Sequence, residues 1–261
     1  MASLTSKKVS AVYKDLVHVS NSGGGVGGSA IHLYDGNGNK LPIKVKTDET
    51  HIVPSSDSTN AFRVYASNGS TELLQVDSTN SEVKALGHQV NTQIQQFSLH
   101  GADATAGAHQ ALVVGGGSFM DAPTYTEKAL GTSANPATTL DVSADTAYQW
   151  LQHFWYVPAN ITVDSVHLLF SNEDSSGGHS MNFHVMSYAM STSAGSYGDL
   201  SDGTVVADDS ATTSVLNSEI RYKTLTVQSA DVASGRVIVA TVETDQTDDV
   251  YINLQLKYHF R

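Results

Sequence analysis

Cysteine is absent from this 261-residue chain. That excludes disulfide staples and cysteine-based metal or redox chemistry, and it leaves the compartment open. Charged side chains are scarce at 15% of residues, and the Glu, Lys and Leu richness of a helical enzyme is missing. No apolar run approaches the roughly 18 residues that a membrane-spanning helix needs. Lys7 and Lys8 have no apolar stretch behind them, so Met1 to Ser10 is not expected to be a secretory signal. What the chain has instead is Gly, Ser, Thr, Asn and Asp, interleaved with alternating runs of β-branched and aromatic residues. This is the composition of a folded, β-rich protein with many turns.

Charge is placed unevenly. Residues 1–90 carry eight Lys/Arg and eight Asp/Glu, whereas residues 91–261 carry six and eighteen, so the net charge of −12 lies entirely in the second part. An acidic C-terminal part argues against nucleic acid or an anionic membrane as partner.

The strongest single element is the last one. From Val250 to Phe260, Val250, Ile252, Leu254, Leu256, Tyr258 and Phe260 share one face. Tyr251, Asn253, Gln255, Lys257 and His259 share the other. Such strict alternation predicts a strand with one dry face, which must be covered by a finished sheet.

Upstream, Val9 to Val19 alternates weakly and meets the loop SNSGGGVGGS at 20–29, which is not GxxxxGK[ST] and lacks the strand before and helix after that a GxGxxG fingerprint requires. Ala30 to Tyr34 and Leu41 to Lys46 then read as strands around the turn Asp35-Gly36-Asn37-Gly38. Pro42 places its strand at an edge or a strand start. A second hairpin has Phe62 to Tyr65 and Leu73 to Val76 around Ser67-Asn68-Gly69-Ser70, and Asp77 to Asn80 turns into Val83 to Leu86. These strands hold little apolar material each, so burial against copies of the same chain is expected.

Between His88 and Ser118, Val90, Ile94 and Phe97 fall at i, i+4 and i+7, which predicts a short helical face or an irregular neck. A Gly/Ala-rich stretch follows, and no heptad is sustained. Beyond it, TTLDV (138–142) and the aromatic run Tyr148, Trp150, Phe154, Trp155 and Tyr156 open the C-terminal part. The aromatic run is expected in core and subunit contacts, with a sugar-stacking platform as the alternative. In ITVDSVHLLF (161–170) the apolar set changes face near Asp164-Ser165, as a β-bulge makes it, and MNFHVMSYAM (181–190) is bulky on both faces, hence central. Strands 10–20 residues apart with turn chemistry between them predict an antiparallel sandwich of jelly-roll type.

Residues 11–52 resemble the N-terminal module of fibre and spike proteins of tailed bacteriophages. The matching elements are Tyr13-Lys14-Asp15-Leu16, Ser20-Asn21, Asp35-Gly36-Asn37-Gly38 and Thr47-Asp48 through Ile52. Phe62, Val64, Gly69, Leu74, Val76, Asp77 and Val83 are similar to the short β-repeat of such fibres. Residues 154–207 are more loosely similar to a β-domain of marine-phage fibre-like proteins. The resemblance implies a virion structural protein, a homotrimer, docked to other virion proteins through Tyr13, Lys14, Asp15, Leu16, Ser20 and Asn21. It leaves room for only one or two shaft repeats, which also fits a head decoration or a tail adaptor protein.

Catalysis finds little support. The acid pairs Glu173/Asp174, Asp199/Asp202, Asp208/Asp209 and Asp248/Asp249 sit in Gly/Ser/Thr-rich loops, and no β-helix pattern offers a sugar cleft for a polysaccharide-degrading spike. No GxSxG elbow, HxH or HExxH occurs among the eleven histidines, and His32, His167 and His184 read as packing residues inside strands. Asp199-Leu200-Ser201-Asp202-Gly203 is too short for an EF-hand loop. No cofactor is expected, and no metal ligand set is assigned. The expectation is therefore an all-β protein with short N-terminal hairpins and repeats over 1–87 forming an oligomeric stem, a neck at 88–118 and a jelly-roll-like sandwich over 119–261. It would work through surfaces, with Glu173, Asp174, Asp199 and Asp202 as candidate receptor or ion loops facing a host-surface glycan or protein.

Overall fold

The structure is a computed structural model that describes residues 17–19, 26–115, 128–142, 147–172, 179–209, 213–215, 219–245 and 247–261. The chain divides into two compact units, Met1–Val90 and Asn91–Arg261.

The N-terminal unit holds two four-stranded antiparallel meanders: β1 (His18–Val19), β2 (Ile31–Tyr34), β3 (Lys40–Val45) and β4 (Thr50–Ile52), then β5 (Phe62–Tyr65), β6 (Glu72–Asp77), β7 (Glu82–Ala85) and β8 (His88–Gln89). The turns form where their chemistry predicts. Asp35 Oδ1 accepts the amide hydrogens of Asn37 (2.9 Å) and Asn39 (2.8 Å), and Gly38 takes a φ of +85° that a side chain would resist. Asn68 Oδ1 accepts from Ser70 and Thr71 beside Gly69, and Asp77 Oδ1 accepts from Asn80. Pro42 is not at an edge or a strand start. It is the third residue of β3, an interior strand, and is accommodated because the β2–β3 register shifts between His32 and Tyr34.

The C-terminal unit contains β9 (Thr92–Ala104), β10 (Gln110–Ala111), β11 (Val113–Val114), the single helical turn α1 (Ala147–Trp150), β12 (Trp155–Tyr156), β13 (Ile161–Asn172), β14 (His179–Met190), β15 (Leu200–Asp208), β16 (Thr213–Val215), β17 (Arg221–Val227), β18 (Asp231–Val232), β19 (Arg236–Thr244) and β20 (Asp248–Phe260). Its main pairings give two four-stranded layers, β9–β20–β13–β17 and β10–β19–β14–β15. Within that set the first strand pairs with the last, the second with the seventh, the third with the sixth and the fourth with the fifth. This nesting is the jelly-roll sandwich.

Inward alternation explains the core. Phe97 and Leu99 of β9, Val166, Leu168 and Phe170 of β13, and Ile252, Leu254 and Leu256 of β20 meet Phe183 and Val185 of β14 and Ile238, Ala240 and Val242 of β19. Phe170 and Phe183 touch edge-to-face across the layers at 4.9 Å. The bulge expected near Asp164-Ser165 is present as a register shift between Val163 and Ser165. Strand β14 lies between β15 and β19, as bulk on both its faces requires.

Strand β14 needs cover on its outer face too, and residues 128–142 supply it as a strap. The strap pairs with the sheet edge through Ala111 N–H to Lys128 O (2.7 Å) and His109 N–H to Gly131 O (3.0 Å), then crosses the layer to a two-bond pairing of Leu140 with Leu200. Buried side chains hold it at alternate residues: His109 Nε2 bonds Ser133 O (2.6 Å), His184 Nε2 bonds Asn135 Oδ1 (3.2 Å) and the Tyr188 hydroxyl donates to Ala137 O (2.8 Å). Beneath it a second core forms from Ala111, Leu130, Val142, Trp150, Met186, Tyr188, Leu200, Val237 and Val239.

The neck expected over 88–118 is corrected by this arrangement. Residues 92–104 are a full strand of the sandwich and 110–114 bridge its two layers, so the compact unit begins at Asn91 and not at 119. Residues 138–142, which open the C-terminal part in the sequence, form the end of the strap, with an isolated bridge at Leu140.

Candidate functional site

Six of the sequence-predicted site residues, Tyr13, Lys14, Asp15, Leu16, Ser20 and Asn21, lie outside the described residues, as do Glu173 and Asp174. Asp199 and Asp202 are described, and both have structural work. Asp199 Oδ1 accepts the amide hydrogen of Val142 at 2.9 Å, pinning the end of the strap. Asp202 has a φ of +50°, and its carbonyl accepts from the Arg236 guanidinium at 2.7 Å. Leu200 between them is buried. Among the described residues no group of three or more His, Cys, Asp or Glu is placed to hold a metal. Of the other acid pairs, Asp208 accepts from Gln228 and Asp209 pairs with Lys223.

The aromatic run divides between the two cores. Trp150 is buried in the second core with Phe154 packed 5.8 Å away, while Trp155 packs on the first core against Tyr258 and Phe97. His153, which follows α1, is buried with its Nδ1–H donating to Leu112 O at 3.0 Å. Burial pushes its pKa down to about 4. Burial, and then the nearby His109, push His184 down as well. Burial likewise raises the Tyr188 phenol. Among the described residues of the aromatic run only Tyr156 is exposed, at 51%, so no row of exposed rings arises from them.

Among the described residues the outer face of the β9–β20–β13–β17 layer is largely open, with Leu169, Tyr222, Thr224 and Gln255 exposed and Ser98 at its edge buried beside Gly115. Register sets its side chains in rows across the strands. One row is Tyr222, Leu169, Asn253 and Ser98, the next is Thr224, His167, Gln255 and Gln96, and a third is Ser171, Tyr251 and His100. These rows contain no carboxylate, ammonium or guanidinium group. Among the described residues the nearest charges on this face stand beyond the rows, at Lys257 and the Asp164–His259 pair (2.8 Å) on one side and Asp249 on the other.

Polar bonds order this face. His167 Nδ1 lies 2.7 Å from the Tyr222 hydroxyl and 3.1 Å from Thr224 Oγ1, and its Nε2 lies 2.9 Å from Ser165 Oγ. The His167 and Tyr222 rings are stacked, with centroids 5.9 Å apart and planes at 16°. Gln96 Nε2 donates to Asn253 Oδ1 at 3.2 Å, and His100 meets Tyr251 edge-to-face. Two adjoining hollows of about 170 Å³ each open here and share Leu169 and Asn253. The signal for this face was present in the sequence as the second register of the terminal strand, where Tyr251, Asn253 and Gln255 alternate with the core residues. It becomes a site only once β13 and β17 are known to lie alongside.

No family model and no curated protein matches this chain. Among solved structures it is similar to the CBM22-1–GH10 modules of endo-1,4-β-D-xylanase 10B from Clostridium thermocellum complexed with xylohexaose, at 12% identity and a TM-score of 0.26 over 66% of this chain and 25% of that one. It is similar to turnip yellow mosaic virus at 8% identity and a TM-score of 0.23, over 65% and 80% of the two chains. Infectious bursal disease virus, Gx strain, matches at 10% identity and 0.22, over 93% and 69%. Scores this low transfer no function to this chain.

Proposed function

We propose that this chain is a structural protein of a phage virion, self-associating through its N-terminal unit and carrying the jelly-roll as a surface for host attachment. The observation that carries the self-association is the coreless N-terminal unit. Among its described residues none belongs to either hydrophobic core, and Phe62, Val64 and Val83, which share a face of the β5–β7 sheet with Val76, Leu74 and Ala85, are exposed. A contiguous apolar face on a sheet this thin is stabilised by burial against further copies of itself. The virion assignment rests on the resemblance of residues 11–52 and 62–83 to phage fibre modules, and the trimer on the same resemblance.

Light scattering on the purified chain tests the reading. A molar mass near three chains supports it, and a monomer overturns the self-association and leaves a particle-templated head decoration protein. Deletion of residues 1–50 should abolish incorporation into particles while the C-terminal unit stays folded by circular dichroism. Normal incorporation refutes docking through that segment.

A further inference from the structure

We infer that the outer face of the β9–β20–β13–β17 layer binds a neutral saccharide. This deepens the attachment reading above and names the ligand class for it. Charge sets the first limit. Residues 91–261 carry eighteen acids against six bases, yet the three central rows carry neither sign. A phosphate, sulfate, uronate or cationic ligand finds no counter-charge there, and a nucleic acid finds no basic track.

What the rows offer is the chemistry that recognises hydroxyl-rich, uncharged rings. Gln255 presents an amide with both a donor and an acceptor end, and Asn253 is oriented by Gln96 Nε2 on its oxygen. Paired donor and acceptor groups of this kind match adjacent sugar hydroxyls. Tyr222 is 63% exposed, yet its hydroxyl is tied to His167 and Thr224 and its ring plane stands within 16° of the His167 ring, 5.9 Å away. An exposed ring held in one orientation loses little conformational entropy when a ligand stacks on it. The two hollows meet at Leu169 and Asn253, so adjacent rings of one chain can occupy both.

A second copy of the chain is the less suitable occupant. The core of a subunit interface is apolar and close-packed, and here it would bury the Asn253 and Gln255 amides against a self-complementary surface. A saccharide brings hydroxyls to them and keeps bridging water.

The test is binding of the full chain, by saturation-transfer NMR and calorimetry, to neutral oligosaccharides of glucose, galactose, mannose and N-acetylglucosamine, with oligogalacturonate as the acidic comparison. At least one neutral oligosaccharide should bind, oligogalacturonate should not, and Tyr222→Ala and Gln255→Ala should each weaken binding at least tenfold with an unchanged melting temperature. Tyr222→Phe, which keeps the ring and loses its tether, should weaken it less than Tyr222→Ala. The inference is overturned if no neutral oligosaccharide binds, if both alanine variants bind as the parent does, or if Tyr222→Ala lowers the molar mass in light scattering, which makes the face an interface between copies. Particles carrying Tyr222→Ala that lose oligosaccharide binding but adsorb normally overturn attachment through this face and leave the saccharide site standing.

Discussion

Replacing Gly203 by alanine should loosen the strap from the sandwich. A Cβ at this position falls 2.6 Å from Tyr188 Cε1, 2.7 Å from Thr138 Cα and 3.0 Å from Thr138 O. The Tyr188 ring cannot swing away, because its hydroxyl is bonded to Ala137 O and the ring is fully buried in the second core. Thr138 cannot retreat cheaply either, since it lies between that bond and the paired Leu140–Leu200 bridge, and its own carbonyl accepts the Gly203 amide hydrogen at 2.9 Å. Overpacking of this sort costs about 1–3 kcal/mol. Loss of the Gly203–Thr138 bond adds about 1 kcal/mol. A total of about 3 kcal/mol corresponds to a melting-point decrease of roughly 6–12 °C for a unit of this size. Thermal unfolding followed by circular dichroism measures it, and the emission of Trp150, 2% exposed in the second core, reports whether the strap has lifted. Gly28→Ala, where a Cβ meets nothing within 4 Å, serves as the control. A decrease below about 2 °C with unshifted tryptophan emission would refute the assigned role of the strap.

Asp199→Ala removes the acceptor of the Val142 amide and should destabilise the C-terminal unit by about 1–2 kcal/mol, measured by urea unfolding, and particle adsorption should stay within twofold of the parent. Reduced adsorption at unchanged stability would restore Asp199 as a contact residue. Acid should weaken the fold through His153. Burial holds its folded-state pKa near 4 against 6.5 for the unfolded chain, so the native state binds fewer protons between those values, and its contribution is full above pH 6.5 and lost as pH falls toward 4. The loss is on the order of 3 kcal/mol. His184 acts in the same direction. Unfolding midpoints from pH 7 to pH 4 measure this, and a His153→Gln variant with the same pH dependence as the parent would remove His153 as the cause.

The terminal strand was legible because its buried face is wholly apolar, and the bulge at Asp164-Ser165 was legible because one apolar residue changes face there. Strand β9 was illegible for the opposite reason. Its inward positions opposite Tyr258 and Leu256 are Gln93 and Gln95, so only Phe97 and Leu99 report the core. Ile94, 65% exposed, and Val90 happen to stand at helical spacing from Phe97. Period-two reasoning fails where polar residues occupy the inner register at the mouth of a sandwich. The strap was illegible because its hold is not a pattern within itself. Its carbonyls at 133 and 137 and the Asn135 side chain are met by His109, just before β10, and by Tyr188 and His184 of β14, all outside the strap itself.

The same distinction governs the two kinds of candidate site. Acidic residues in Gly/Ser-rich loops stand out in a sequence, yet a loop that must pack over a sheet needs acceptors for its own backbone amides, and Asp199 is consumed in that way. A binding face on a sheet is written in every second residue of several strands, and each strand alone reads as ordinary solvent-side polarity. His167, Tyr222, Asn253 and Gln255 are 88 positions apart at their extremes. They become one surface because nested pairing sets β13 between β20 and β17. In a chain whose net charge is concentrated in this unit, the absence of charge from three consecutive rows of an open face is the physical feature that a ligand can exploit. It is visible only after the register is known.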